Sequence, residues 1–486
     1  MFSLLRRHDS VHGIQISRKS ESQHFLVCGA TGTGKTTALR DMMYYAKSCG
    51  DVCVVHDPKR EFLAEFYDEQ RGDVIMDPTD DRCPYWSISD EVTDLADAIS
   101  TTRGIYPSHP NNPHAQFWDD SACEISAHLV CEYRPNCEEY GLWLRDESEI
   151  DKRIKGTEHA QTLTKNSPNM RAGILATMNK AGRPLRMMPT LKEGRKKIVL
   201  REWVKERKGW IFLPNKQDTR EALRPLQSMW LDMLMLRTMS FGRQPKMKRI
   251  WFFLDELASL NTLPQLHSGM TEMRFTGSPI VLGIQNIASL EELYGKLAET
   301  ICSQATTWLL LATSGKAGGD FERMIGDQEI MRMEESYSYD GGRTRRTFSF
   351  RETRKPAVLG SEIAGLVDLQ ATLVQRGKIV RFDMPFTPQV FHNNPHIPRE
   401  IPRLEPLRPT ETAGEANTTQ GTEEPTFPEL QKTLEALAKA AGVPLPAVFQ
   451  AEPNPEASQP EEAHHLASVQ RDLEALAATA VGGDVA

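Results

Sequence analysis

The stretch Gly29-Ala30-Thr31-Gly32-Thr33-Gly34-Lys35-Thr36-Thr37 constrains this chain more than any other. Gly29, Gly34, Lys35 and Thr36 match G-x-x-x-x-G-K-[ST]. The glycines of such a loop let the backbone bend tightly and bring its N–H groups up to phosphate oxygens. Lys35 can reach the β- and γ-phosphates, and the Thr36 hydroxyl can hold Mg²⁺. The flanks agree with this reading. His24 to Cys28 is a short, mostly apolar run that reads as a buried strand. Thr37 to Lys47 has helical apolar spacing, so phosphate would meet a helix N-terminus. A glycine-rich turn without a ligand is the bland alternative, and the strand before and helix after speak against it.

A second stretch completes the expected ATP site. Lys248 to Glu256 is an apolar strand that delivers Asp255 and Glu256 at its C-terminal end, where open α/β sheets bind ligands. Asp255 would hold the Mg²⁺ shell, largely through water, and Glu256 would orient and polarise the attacking water. Asp-Glu after an apolar run means little alone, but a phosphate loop lies more than 200 residues upstream. Gln285 ends the next strand, so a parallel sheet would put its amide beside Asp255 and Glu256; an ordinary loop glutamine is the other reading. Arg274, in Thr271 to Gly277, is a candidate arginine finger for a neighbouring subunit's ATP, against the plain reading of a solvated surface arginine.

Other segments fill in the organisation. Val52–His56, Asp73–Met76, Trp210–Pro214, Ile280–Ile284 and Thr306–Ala312 read as further strands, alternating with helices as in a parallel sheet covered on both faces. Residues 91–190 read as a mostly helical insertion, with helices over Ala115–Tyr133 and Pro168–Ala181, the latter ended by Gly182-Arg-Pro. Glu221 to Met239 reads as a long helix whose methionines pack a core. Tyr337 to Phe350 alternates around Asp340-Gly341-Gly342, as a hairpin would. Cys123, His128, Cys131 and Cys137 could bind zinc, but their spacing fits no common site, and reduced thiols on helix faces are the preferred reading.

Charge is uneven. Residues 404–486 hold 14 acidic and 4 basic side chains, a balance of −10; against a whole-chain charge of −8 the first 403 residues carry +2. A near-neutral body neither announces nor excludes nucleic acid, so any contact must come from local basic patches. Two such patches stand out. Lys192–Lys208, with Lys196 and Lys197, has eight bases and three acids. The hairpin carries Arg343, Arg345 and Arg346 among Tyr337, Tyr339, Phe348 and Phe350, a composition that suits single-stranded DNA and equally a solvated hairpin. The Pro/Glu/Thr/Ala-rich tail reads as disordered. It repeats LQKTLEALA (430–438) as VQRDLEALA (469–477), either low complexity or two copies of a docking helix, the reading preferred here. No run approaches 18 apolar residues, and MFSLLRRHDS is too soon charged for a signal peptide.

HFLVCGATGTGKTT, VVHDPKREFLAEF, GDVIMDPTDDRCPYWS, EALRPLQSMWLDML, WFFLDELASLNTLPQL, MRFTGSPIVLGIQNIASLEELYG, ERMIGDQEI and VLGSEIAGLVDL together resemble the type IV coupling proteins, over about residues 20–385. These are the DNA-pumping ATPases of bacterial conjugation and type IV secretion. The resemblance implies an α/β, RecA-like P-loop NTPase domain (1–90 and 191–403) with an inserted all-α domain (91–190) and an acidic tail (404–486). It implies a homo-hexameric ring around DNA, with ATP and Mg²⁺ bound by residues 29–37 and Asp255. Arg274 falls at the family's finger position, and Gln285 at its phosphate-sensing glutamine. The implied partners are DNA, a relaxase or other secretion substrate, and the secretion channel. Coupling proteins usually begin with transmembrane helices, whereas this P-loop begins at residue 29. Either a partner supplies the anchor, the protein works in the cytosol, or the true start lies upstream; the expectation is a cytoplasmic protein, peripheral at the inner membrane through partners. Two other functions stay open: a cytosolic DNA pump of the FtsK or HerA kind, and an ATP-dependent adaptor for protein substrates.

Overall fold

Largely apolar strands of four to six residues, each buried on both faces, make the centre of the fold, as parallel strands covered by helices must. A computed structural model describes residues 10–11, 14–15, 18–106, 112–242, 247–340 and 342–402. The tail, including the repeats at 430–438 and 469–477, lies outside the described residues, as do the side chains of Arg343 and Arg345. The strands are β1 (Ser10–Val11), β2 (Ile14–Gln15), β3 (Phe25–Cys28), β4 (Val52–Asp57), β5 (Val74–Ile75), β6 (Ile211–Pro214), β7 (Ile250–Leu254), β8 (Ile280–Ile284), β9 (Thr307–Leu310), β10 (Asp327–Asp340), β11 (Arg343–Pro356), β12 (Gln370–Gln375) and β13 (Lys378–Asp383).

Nine of these form one sheet in the order β13-β12-β9-β3-β8-β7-β4-β6-β5. Every pair from β9 to β5 is parallel, and β12 and β13 close one edge as an antiparallel pair. The chain leaves β3 toward β4 on one side and leaves β8 toward β9 on the other. The crevice outside the carboxyl ends of β3 and β8 is therefore the switch point where such sheets take ligands. Among the described residues, strands β1 and β2 pair only with each other, as do β10 and β11.

The described residues between β5 and β6 contain helices but no strand, chief among them Leu95–Arg103, Pro113–Tyr133, Cys137–Trp143, Glu147–Ile154, Pro168–Leu185 and Leu200–Glu206. Glu91 ties the start of this stretch to its end. The carboxylate is fully buried and accepts N–H bonds from Leu200 (2.6 Å) and Arg201 (3.0 Å) and the Trp86 indole N–H (2.9 Å). It thereby caps a helix whose own N-cap residue, Val199, has no side-chain acceptor. Trp86 meets Trp230 edge to face at 5.5 Å, packing this stretch on the Arg220–Phe241 helix. Met229, Met233 and Met235 of that helix are buried, in keeping with a core role.

Helix boundaries shift by a few residues, and the expected stop at Gly182 does not hold. The helix from Pro168 continues through Gly182-Arg-Pro to Leu185. Pro184 falls in its last turn, where proline removes one donor, and the Arg186 N–H still bonds the Gly182 carbonyl at 3.2 Å. The hairpin is also longer than its alternation suggests, with 14 residues in each strand. Cys123 faces Thr102, and Cys137 points its thiol at the Trp86 carbonyl. No three metal-ligating side chains converge among the described residues, and all eight cysteines are free thiols.

Arg60 and Asp77 form a buried pair at 2.6 Å that joins the ends of β4 and β5. Arg60→Ala would strand the Asp77 carboxylate in the interior. It is expected to cost about 3–5 kcal/mol in urea unfolding, as breaking buried pairs does.

Candidate nucleotide-binding site

The phosphate-type loop leaves β3 at the switch point and is laced to its neighbours by backbone bonds. The Gly29 N–H donates to Ile284, that of Ala30 to Ala312, and that of Leu369 to the Thr33 carbonyl. The Thr33 hydroxyl closes the loop on the Ala30 carbonyl at 2.8 Å. Gly34 has φ +109°, and a Cβ there would lie 2.9 Å from Leu369 Cδ2 and 3.1 Å from Met384 Cε. Backbone conformation and close packing both demand glycine at that position. The helix Lys35–Ser48 starts immediately after, and no side chain caps it. The N–H groups of its first turn, with the dipole behind them, thus face the loop as an anion site.

The acidic pair arrives on the adjacent part of the sheet. Asp255 follows β7, and a Cβ at Gly283 of β8 would come within 2.3 Å of its carbonyl oxygen; glycine there lets the two strand ends close up. Lys35 Nζ donates to the Asp255 carbonyl at 3.0 Å and to Glu256 Oε2 at 3.3 Å, and lies 3.9 Å from Asp255 Oδ1. Gln285 Nε2 donates to the same Glu256 Oε2 at 2.9 Å. The structure therefore brings together Lys35, Asp255, Glu256 and Gln285, which lie far apart in sequence. Asp255 Oδ1 is buried and has no hydrogen-bond partner. Burial raises the Asp255 carboxyl above its ordinary range, opposed by Lys35 and Lys59. A buried carboxylate oxygen facing a lysine and an open loop suits a divalent cation, and Thr36 stands one residue past that lysine on the helix.

Three neighbours escaped the sequence reading. Asp57 ends β4, next to β7, and its carboxylate accepts the Glu61 and Leu63 N–H groups at 3.1 and 2.8 Å. Burial, with Asp255 and Glu61 nearby, pushes it up to about 7. Lys59 lies within electrostatic reach of Asp255. His56 Nε2 lies 2.7 Å from Ser259 Oγ, and that hydroxyl donates to the Glu256 carbonyl at 2.7 Å. With its hydroxyl hydrogen so used, Ser259 accepts from His56 Nε2–H, and the chain His56–Ser259–Glu256 fixes the turn that carries Glu256. Burial and the Arg220 charge lower His56 to about 3, so its ring is neutral.

Arg274 stands elsewhere. It lies in the last turn of the helix Leu266–Thr276, exposed, with its guanidinium over the Phe275 ring at 5.3 Å. That helix returns to the start of β8, where the Ile280 N–H donates to His24 Nδ1 at 3.0 Å. Burial, and then the charge of Arg274, lower His24 to about 3. Arg274 thus sits at the strand-start edge of the sheet, while Lys35 and Glu256 sit at the strand-end edge. The five residues of β8 separate the two edges by roughly 16 Å.

The nucleic-acid candidates also separate. In the 192–208 segment, Arg195 pairs with Asp81, Lys197 with Asp90 (2.7 Å), Arg201 with Asp97 and Lys205 with Glu202; Lys196 is exposed. Arg346 pairs with Glu335 and stacks over Phe348 and Tyr337 at 4.9 and 5.8 Å.

A family model described as the type IV secretion-system coupling protein DNA-binding domain matches residues 8–385. The chain belongs to this family. It is 28% identical over 418 residues to the coupling protein TraD of Escherichia coli (strain K12), covering 81% of this chain and 57% of TraD; it therefore spans little more than half of that relative. Among solved structures it is similar to the bacterial conjugative coupling protein TrwBdeltaN70, unbound, with TM-score 0.72 and 25% identity over 81% of this chain and 92% of that one. It is similarly close to the plasmid coupling protein TrwB in complex with ADP and Mg²⁺, with TM-score 0.71, 25% identity and the same coverage. The P-loop α/β fold of this coupling-protein chain is thus that of TrwB. Among its described residues no helix is long and apolar enough to cross a membrane.

Proposed function

We propose that this coupling-protein chain is an ATPase that drives DNA, with a relaxase or other secretion substrate, toward a type IV secretion channel. The observation that carries the reading is the meeting of Lys35 and Gln285 on one oxygen of Glu256, beside the orphaned Asp255 Oδ1. Residues 29–37 would hold the ATP phosphates, with Thr36 and Asp255 holding Mg²⁺. Held there, Mg²⁺ would supply positive charge against that developing on the phosphoryl oxygens. Glu256 takes a proton from the attacking water, and Gln285 links that carboxylate to the γ-phosphate region. Residues 1–90 and 191–403 would form the motor, 91–190 a helical insertion, and the tail a partner-docking segment. Copies of the chain would form a hexameric ring in which Arg274 serves the next subunit's site. The place of work would be the cytoplasm, peripheral at the inner membrane through partners.

The reading is tested by ATP turnover with and without single- and double-stranded DNA, with oligomeric state monitored. Turnover indifferent to either DNA would replace the pump by an adaptor for protein substrates. A DNA pump that recovers no secretion component would be of the cytosolic kind.

The register of the hairpin refines the DNA contacts. Alternate positions 343, 345, 347, 349, 351, 353 and 355 of β11 read Arg, Arg, Thr, Ser, Arg, Thr, Lys, all hydrogen-bond donors. Alternate residues of a strand share a face, and donors of this kind bind a phosphate backbone. Each phosphate contact adds roughly 0.7–0.9 to the slope of log K against log salt. Neutralising Arg343, Arg345 and Arg346 together should lower that slope by about 1.4–1.8, the share of the first two. Arg346→Gln alone should leave it unchanged, because Arg346 is spent on Glu335. A triple variant with the wild-type slope would send the contacts elsewhere.

A further inference from the structure

The other face of the hairpin is of a different kind. In the observed register, Met331, Met333, Tyr337, Tyr339, Phe348 and Phe350 all point to one side of the ribbon. Their exposure runs from 49% at Phe348 to 78% at Tyr339. Among the described residues the hairpin pairs with no other strand, and its 14 residues per strand reach about 46 Å. A lone two-stranded hairpin is marginal in water, so a cover for this face is a condition of its order.

The size of the face suits a protein partner. A fully covered aromatic side chain buries about 150–250 Å². At these exposures six such groups present on the order of 750 Å². That exceeds the largest apolar patch of an ordinary monomer, about 300–600 Å². It approaches the roughly 800 Å² that each partner gives to a standard interface.

Charge selects among occupants. The same face carries Asp327, Glu329, Glu335 and Glu352 against Arg346 and Arg354. Arg346 is held by Glu335, and Arg354 by Glu329 at 2.9 Å. Four carboxylates and two guanidinia held by two of them offer nothing to the phosphates of DNA. They equally fail to attract residues 404–486, whose balance is −10 from 14 acids and 4 bases. A mixed-charge rim around an apolar centre is instead the composition of a protein interface.

Position points to a second copy of this chain. The hairpin springs from Gly326, at the end of the helix Gly315–Ile325. That helix runs back along β9, and its Phe321 packs on Trp308 near the start of the strand. The root therefore lies at the strand-start edge, the edge that also carries Arg274. We infer that the Met/aromatic face of the β10–β11 hairpin is an arm that docks on the adjacent subunit, alongside the contact that delivers Arg274. The inference rests on the ring reading above.

The test uses the full chain with Mg²⁺ and a non-hydrolysable ATP analogue. A benzophenone photo-cross-linker in place of Phe350 should yield covalent dimers, with the linked peptide mapped to a second copy. Met333→Ser with Phe348→Ser and Phe350→Ser should weaken assembly about 100-fold or more by sedimentation, since buried aromatic anchors dominate interfaces. Nucleotide affinity should stay at the wild-type value, which shows that the variant is folded. Cross-links confined to the same chain or to added DNA overturn the inference, as does a triple variant that assembles like wild type. A wild-type chain that stays monomeric with nucleotide and DNA overturns the ring reading and this inference together. A wild-type ring matched by the triple variant overturns this inference alone.

Discussion

Glu256→Gln should bind ATP with near-normal affinity and hydrolyse it about 10²–10⁴-fold more slowly, the range that a positioned general base contributes. Glu256 Oε2 accepts from both Lys35 and Gln285. The substituted amide keeps a carbonyl oxygen that can accept the same two bonds, so the loop and the strand end stay in place. What it lacks is the capacity to take a proton from water. Lys35→Ala differs in kind. It removes the cation that the phosphates need and leaves Glu256 facing Asp255 without the ammonium between them. Nucleotide binding and turnover should both fall. Calorimetry with a non-hydrolysable analogue separates the two variants, and phosphate release measures turnover. Unaltered phosphate release by Glu256→Gln would remove Glu256 from the role of base and leave it as an acceptor that positions Lys35 and Gln285.

Much of this site was legible because its parts are local. A buried run, then GATGTGKTT, then helical spacing fixes a strand, loop and helix within 25 residues, and the structure has all three. Ile250–Leu254 and Ile280–Ile284 were readable to the residue, because apolar runs bounded by polar ends have sharp borders. What depends on sheet order was not. Asp57 and Asp255 become neighbours because β4 lies beside β7, and no local pattern gives that order. Lys59 and the His56–Ser259 link were hidden for the same reason. Strands β12 and β13 went unread because Lys378–Asp383 is largely exposed and the buried part of β12 is only three residues, Ala371–Leu373. The hairpin was readable as alternation, yet composition alone mixed its two faces. Only the pairing of Tyr337 with Arg346 and Glu335 with Phe348 separates the aromatic side from the donor ladder.

Arg274→Ala should bind ATP nearly as the wild type does and hydrolyse it about 10³–10⁵-fold more slowly, the worth of an arginine finger in phosphoryl transfer, with a low basal rate hiding part of the loss. The geometry gives this expectation a direction. Roughly the length of β8, about 16 Å, lies between Arg274 and its own Glu256, so no rotamer closes the gap within one chain. A permanently charged, planar fork on an exposed helix end is instead presented to whatever packs on that edge. In a head-to-tail ring the packing surface would be the strand-end edge of the next copy, where Lys35 and a bound Mg²⁺ would leave part of the developing phosphoryl charge uncovered. Mixing separates the two arrangements. Lys35→Ala subunits keep a sound arginine, and Arg274→Ala subunits keep a sound loop. Rings containing both have interfaces at which an intact arginine meets an intact loop, so turnover should partly return and peak at intermediate ratios. Co-assembly of the two variants, shown by sedimentation, with no recovery at any ratio would mean that Arg274 supports its own chain, through the Phe275 ring and the electrostatics at His24, and completes no neighbour's site.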